Sequence, residues 1–173
     1  LETLSSAEKR GADIYGEFLG FGTSYHNSVC GNQKNSSFDS KVLCTEQALE
    51  FASIDSSKVD YVNASGISGI KEDREESEVI KSVFGREAQR IPVSSTKGSL
   101  GLSLGATGAI DAIFSLLCLR KNILPQTNKL ENVDLVCNSL FHLKKPVEKS
   151  ASIILSNNFS YCGNNVSLVI KRM

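Results

Sequence analysis

The stretch AIDAIFSLLCL, Ala109 to Leu119, is apolar around nearly its whole circumference when wound as a helix. A helix lying on a protein surface keeps a polar face towards water, so one without such a face is buried on all sides. The run is also shorter than the ~20 residues that cross a bilayer. It therefore belongs in the middle layer of a multilayer fold. The Gly/Ser-rich loop Gly98 to Gly108 leads into this helix, which continues to about Arg120 before Pro125 breaks the pattern.

Upstream, Leu1 to Arg10 is polar and reads as a strand end followed by a turn, and the alternating Ala12 to Gly22 reads as a strand. Thr23 to Asp39 is a long Ser/Asn/Gly-rich loop. Ser40 to Ala52 has helical spacing, Asp55 to Lys58 is a turn, and Val59 to Ala64 is a strand that runs into the loop Ser65 to Lys71. The spacing predicts a helix over Asp73 to Phe84, with Asp73 as N-cap, Glu76 completing a capping box and Gly85 closing it. Ile91 to Ser95 is a short strand. Downstream, Asn128 to Cys137 is a loop, and the strands Ala151 to Ser156 and Val166 to Lys171 flank the loop Asn157 to Asn165. Strands mix with helices throughout, which makes the class α/β.

The length of 173 residues fits one domain, 1–173. A formal net charge of zero gives no support to a nucleic-acid footprint or to binding at an anionic membrane. No apolar run is long enough to span a bilayer, and no signal peptide is evident. The start at Leu1 rather than Met reads as a cut or processed product. Cys30, Cys44, Cys118, Cys137 and Cys162 are odd in number and contain no C-x-x-C pair, which argues against zinc or a redox dithiol. Free thiols in a reducing, cytoplasmic setting are expected. No metal and no cofactor is implied.

The blocks VNA-x-G, DREESEVIKSVFG, SSTK-x-x-x-G-x-x-LGA-x-G-A-I, ILPQTNKLEN and LSNNF-x-x-x-GNN follow one another in this order. Together they resemble the C-terminal half of β-ketoacyl-acyl carrier protein synthases, over essentially the whole chain. The resemblance implies half of a thiolase-like, five-layered α-β-α-β-α sandwich. Its buried central helix is similar to Ala109 to Leu119, so family likeness and polarity lead separately to one architecture.

Active members of that family place a nucleophilic Cys in the N-terminal half and two His and a Lys in the C-terminal half. The nucleophile takes up the acyl group, and the imidazoles assist loss of CO2 and stabilise the enolate or oxyanion. The first His position, within VNA-H-G, is Ser65 here, whose hydroxyl does not exchange a proton near neutrality. The second, within STK-x-x-x-G-H, is Leu102, which has no donor. Lys97 is retained, and its expected role is structural, as a cation paired with a carboxylate such as Asp73 or Glu76. The family's Gly-Phe-Gly-Gly turn reads Ser160, Tyr161, Cys162, Gly163. Cys162 as a nucleophile is disfavoured, since no His lies near it in sequence. His26 and His142 match no family His and read as surface residues. No catalytic residue is assigned.

Within the family, the chain length factor of type II polyketide synthases characteristically lacks this chemistry. It tends to replace the first His and to break the following Thr-x-Thr-Pro pattern, which here reads Ile67, Ser68, Gly69, Ile70 after Gly66. Scaffold residues Asn63, Gly66, Asp73, Glu76, Lys97, Gly101, Gly105, Gly108 and Asn165 are kept. The resemblance thus implies a non-catalytic subunit. Its expected partners are a ketosynthase α-subunit, its own N-terminal half and an acyl carrier protein, with no nucleic acid and no membrane. A divergent synthase that has its nucleophile in the N-terminal half, and a degenerate structural relic, stay open beside it.

Overall fold

The computed structural model describes residues 1–26 and 36–173. The elements run α1 (Leu4–Lys9), β1 (Glu17–Tyr25), α2 (Ser37–Ala52), β2 (Tyr61–Asn63), α3 (Ile70–Phe84), β3 (Pro92–Ser94), α4 (Lys97–Leu100), α5 (Thr107–Lys121), β4 (Ile123–Leu124), β5 (Phe141–His142), β6 (Val147–Glu148), β7 (Ile153–Phe159) and β8 (Asn164–Lys171). Six strands form one sheet in the order β1-β8-β7-β2-β3-β5, and β4 pairs with β6 apart from it. β7, β2, β3 and β5 are parallel neighbours, while β1, β8 and β7 run antiparallel.

Strand side chains alternate between two cores. Leu155 and its partner Val169 face one side, where they pack with Ala48 and Leu49 of α2 and with Ile80 and Phe84 of α3. The next pair, Ile154 and Ile170, faces the other, with Tyr61 and with Ala112, Cys118 and Leu119 of α5. The described residues thus form a three-layered α-β-α stack, with α2 and α3 packed on one face of the sheet and α5 on the other.

α5 is where the sequence expected burial on all sides, and the structure gives half of that. Asp111, Ala112, Ser115, Cys118 and Leu119 are buried against the sheet. Ile113 and Leu117, on the other face, are 56% and 37% exposed. The buried face is also not uniformly apolar, because Asp111 and Ser115 point into it. The reading as a middle-layer helix is consistent with one apolar face left uncovered by this chain.

Several element boundaries differ from the sequence reading. Leu4–Lys9 is a helix and not a strand end, because Thr3 caps it by accepting from the Ser6 N–H at 3.3 Å. β1 starts at Glu17, where pairing with Lys171 begins, and runs on to Tyr25. α2 begins at Ser37, since Ser36 and Asp39 form a reciprocal capping box. That fixes the end of the long loop Thr23 to Asp39, whose residues 27–35, Cys30 included, lie outside the described ones. α3 starts three residues before Asp73, at Ile70, with Gly69 as N-cap. The expected capping box is absent because Asp73 and Glu76 bond to residues 65–67, earlier in the loop that leads into α3.

Within the Gly98 to Gly108 loop, Leu100 ends the short helix α4 and Leu104–Ala106 forms a 3-10 turn. β7 and β8 extend through most of the Asn157 to Asn165 stretch expected as a loop. Asn157 is wholly buried and accepts from the Ser167 hydroxyl at 2.8 Å, so this polar sequence carries a strand.

Gly20 and Gly22 set how closely β1 approaches α2. A Cβ on Gly22 would stand 1.8 Å from the Cys44 carbonyl oxygen, and one on Gly20 would stand 2.5 Å from the Ala52 nitrogen. No helix among the described residues is long and apolar enough to cross a membrane. Cys44, Cys118, Cys137 and Cys162 are free thiols.

Candidate functional site

Parallel strands end on the same side of their sheet, and in open α/β folds that carboxyl edge is where ligands sit. β2, β3 and β7 are such strands, and the loops that follow them carry the residues singled out from sequence. Ser65 follows β2, Lys97 follows β3 and opens α4, and residues 160–163 form the turn after β7.

An open cavity of about 1410 Å³ has Ser65, Ile67, Leu102, Leu104, Phe159, Tyr161 and Cys162 in its wall, together with Thr107, Ala109 and Ala112 of α5. The structure thus brings Ser65, Leu102 and the 160–163 turn to one place. Lys97 stands behind that wall.

The β2 loop is hung from buried carboxylates. Glu76 accepts the N–H groups of Ser65 and Gly66 at 2.8 Å each, and Asp73 accepts the N–H of Ile67 at 3.1 Å. Burial pushes both carboxyls above their usual range; for Glu76 those two N–H groups and the charge of Lys97 oppose the rise. On the far side the Ser95 hydroxyl donates to the Gly66 carbonyl at 2.8 Å. Gly66 has φ +35°, and a Cβ there would lie 2.6 Å from the Ser95 Cβ. A side chain at position 66 would push the loop off its support.

Lys97 does not pair with Asp73 or Glu76, as the sequence suggested. Its ammonium bonds to Asp111 of α5 and donates to the Ala64 carbonyl at 3.2 Å. The Asp111 carboxylate also accepts from the Thr96 hydroxyl at 2.6 Å, and its carbonyl accepts from Asn63 Nδ2 at 3.2 Å and from the Ser115 hydroxyl at 2.8 Å. This polar layer joins α5 to the ends of β2 and β3. The one sequence signal for it was the lone Asp within the apolar helix.

Ser65 Oγ is fully engaged by backbone. It accepts the N–H of Phe159 at 3.1 Å and lies 3.4 Å from the Phe159 carbonyl, to which it donates. Leu102 is 40% exposed and has only methyl groups to offer the cavity. Cys162 is exposed, and its N–H donates to the Ser160 hydroxyl at 3.1 Å.

Neither histidine is a fully exposed surface residue. His142 is half-buried with its Nε2 at 2.9 Å from the Cys137 carbonyl. His26 is half-buried too, and its backbone N–H donates to the Gly163 carbonyl at 2.9 Å, which places it beside the turn bearing Cys162. Sequence separation concealed that neighbourhood. Among the described residues no group of three or more His, Cys, Asp and Glu is placed to hold a metal ion. Around Ile67, Leu102 and Leu104 the cavity wall is apolar, polar side chains such as Thr107, Asn158 and Tyr161 also line it, and no imidazole bonds to Ser65.

Residues 15–131 match the family model for the beta-ketoacyl synthase C-terminal domain. The chain is similar to 3-oxoacyl-[acyl-carrier-protein] synthase 2 of Coxiella burnetii (strain RSA 493 / Nine Mile phase I), with 37% identity over 176 residues that take in 100% of this chain and 42% of that protein. The namesake protein of Rhizobium meliloti (strain 1021) is 36% identical, with 99% of this chain and 40% of that one aligned. Among solved structures, a beta-ketoacyl synthase from Burkholderia phymatum STM815 superposes with a TM-score of 0.90 at 32% identity, over 99% of this chain and 41% of that one. The ishigamide ketosynthase/chain length factor does so with a TM-score of 0.90 at 28% identity, again over 99% and 41%. The chain therefore spans about two fifths of the length of its relatives. Its α/β layers are those of the C-terminal half of a thiolase-fold ketosynthase, and it belongs to the β-ketoacyl synthase family.

Proposed function

We propose that the protein is a non-catalytic, chain-length-factor-like subunit. It pairs with an active ketosynthase α-subunit in the cytoplasm and helps wall the tunnel in which a poly-β-keto chain grows. Its own N-terminal half covers the open face of α5, and an acyl carrier protein delivers malonyl groups to the partner. The observation that carries this reading is the pair Ser65 and Leu102. They stand where the family's resemblance implies two histidines, the Ser65 hydroxyl is held by the backbone N–H and carbonyl of Phe159, and the Leu102 side chain has no donor. Positions 65 and 102 therefore offer no imidazole N–H to an oxyanion. Ile67, Leu102 and Leu104 instead give the cavity an apolar wall, suited to enclosing a chain. The likeness to a ketosynthase/chain length factor structure supports the pairing.

A second reading, a divergent 3-oxoacyl synthase with its nucleophilic Cys in the N-terminal half, is favoured by the names of the curated relatives. Release of CO2 from malonyl-loaded carrier protein separates the two. No turnover by the purified protein, with a ketosynthase found as its partner in a native mass spectrum, is the expected result. Robust turnover without a partner sinks the first reading.

A further inference from the structure

Lys41 has no role in the site as described, yet its side chain is 8% exposed and therefore almost wholly desolvated. It extends from α2 to Glu75 of α3, with 3.1 Å between Nζ and the carboxylate. Nζ also lies 5.5 Å from the ring centroid of Phe159, within cation–π range. A buried ion pair adds little net stability, because desolvation offsets its attraction; its commoner effect is to favour one arrangement of the groups around it.

Phe159 is the last residue of β7 and leads directly into the 160–163 turn. Ser65 Oγ accepts from its backbone N–H and donates to its carbonyl, so it bonds the peptide groups on both sides of Phe159. Beyond it, Ser160 N–H donates to the Asn164 carbonyl at 2.9 Å and Gly163 N–H to the Ser160 carbonyl at 3.0 Å. Gly163 has φ +83°, and a Cβ there would lie 1.6 Å from the His26 carbonyl oxygen, so β1's end is pressed against the turn.

We propose that Ser65 and the Lys41–Glu75 pair clamp Phe159, one at its backbone N–H and carbonyl and the other at its ring, and so hold the 160–163 turn as a fixed wall of the cavity. Tyr161 and Cys162 then keep one position towards any chain in the cavity. The clamp rests on this geometry and not on the loss of catalysis, so it stands or falls separately from the function proposed above.

Amide hydrogen exchange on the full-length protein tests it, comparing peptides over 158–164 with peptides from α5. Ser65→Ala, and Lys41→Met combined with Glu75→Gln, are each expected to speed exchange in the turn about fivefold or more, the loss of one net hydrogen bond's worth of local protection. Ser65→Thr keeps a hydroxyl and is expected to exchange at the wild-type rate. Turn amides that exchange unchanged in both clamp variants overturn the proposal. So does a rise matched equally in α5, which marks general loosening. Should Ser65→Ala fail to fold, the Lys41/Glu75 double variant decides the matter by the same comparison.

Discussion

Replacing Lys97 by Met is expected to be one of the most damaging single changes in this chain. The Lys97 and Asp111 side chains are 5% and 1% exposed, so neither charge is solvated from outside. Removing the ammonium leaves the Asp111 carboxylate with the Thr96 hydroxyl as its one other side-chain partner. Breaking a buried ion pair by deleting one member costs about 3–5 kcal/mol. That is a large share of the ~5–15 kcal/mol by which a domain is stable. With a urea m-value of about 2 kcal/mol per molar, the unfolding midpoint falls by about 2 M. The double variant Lys97→Met, Asp111→Leu removes both charges. It leaves the Thr96 hydroxyl and the Ala64 carbonyl short of a partner, at about 1–3 kcal/mol each. It is therefore expected to cost less than the two single variants added together. Urea unfolding of the full-length protein followed by far-UV circular dichroism measures all three. A midpoint shift below about 0.5 M for Lys97→Met, or strict additivity of the singles, refutes the view that this pair holds α5 to the strand ends.

Gly22→Ala forces a Cβ to within 1.8 Å of the Cys44 carbonyl oxygen, so α2 has to lift from β1; a loss of about 3 kcal/mol in urea unfolding is expected. Burial pushes the thiols of Cys44 and Cys137 up, and that of Cys118 up to about 11, from a usual value of 9.0. Native protein treated with iodoacetamide at pH about 8 is expected to leave these three unlabelled by mass spectrometry while Cys162, which is exposed, reacts. Because Cys118 is raised in the fold, its contribution to stability is whole below the usual thiol value and disappears as pH climbs through about 11. The 173-residue chain by itself is expected to self-associate through α5 in sedimentation, and Ile113→Glu with Leu117→Glu to return it to monomer with an unchanged far-UV spectrum, since both side chains are exposed.

The class and the layer position of α5 were legible because hydrophobic period and helix polarity are local properties of a sequence. The convergence of Ser65, Leu102 and the 160–163 turn followed from the family's block order and not from any local signal. What escaped the sequence was pairing set by the tertiary fold, between residues six to fourteen positions apart. Glu76 and Asp73 look like a helix cap at i and i+3, but their carboxylates bond to residues 65–67. Asp111 looks like a stray charge in an apolar helix until Lys97 is brought to it. Asn157 and Asn158 read as loop because nothing local announces Ser167 across the β7–β8 ladder. The α1 helix was missed for a different reason. It is a single short segment, Leu4–Lys9, whose cap at Thr3 carries little weight without a longer apolar period behind it.

On the proposed reading, the residues that keep the family pattern and those that depart from it sit under different energetic constraints. Glu76 holds two backbone N–H groups, Lys97 holds the Ala64 carbonyl and the Asp111 charge, and Asp111 ties Thr96. Changing any one leaves a buried polar group without its partner, at a cost of about 1–3 kcal/mol or more, whether or not the protein turns over a substrate. Position 102 faces an open cavity, where a leucine orphans nothing. Position 65 is buried, but a serine there finds both partners in the backbone of one residue, Phe159, and so leaves its hydroxyl satisfied. The fold therefore needs no imidazole at these two positions, while it does need Lys97 and Glu76. On the proposed reading Lys97 is kept for folding, and the residues at 65, at 102 and in the 160–163 turn set this chain apart from a condensing enzyme.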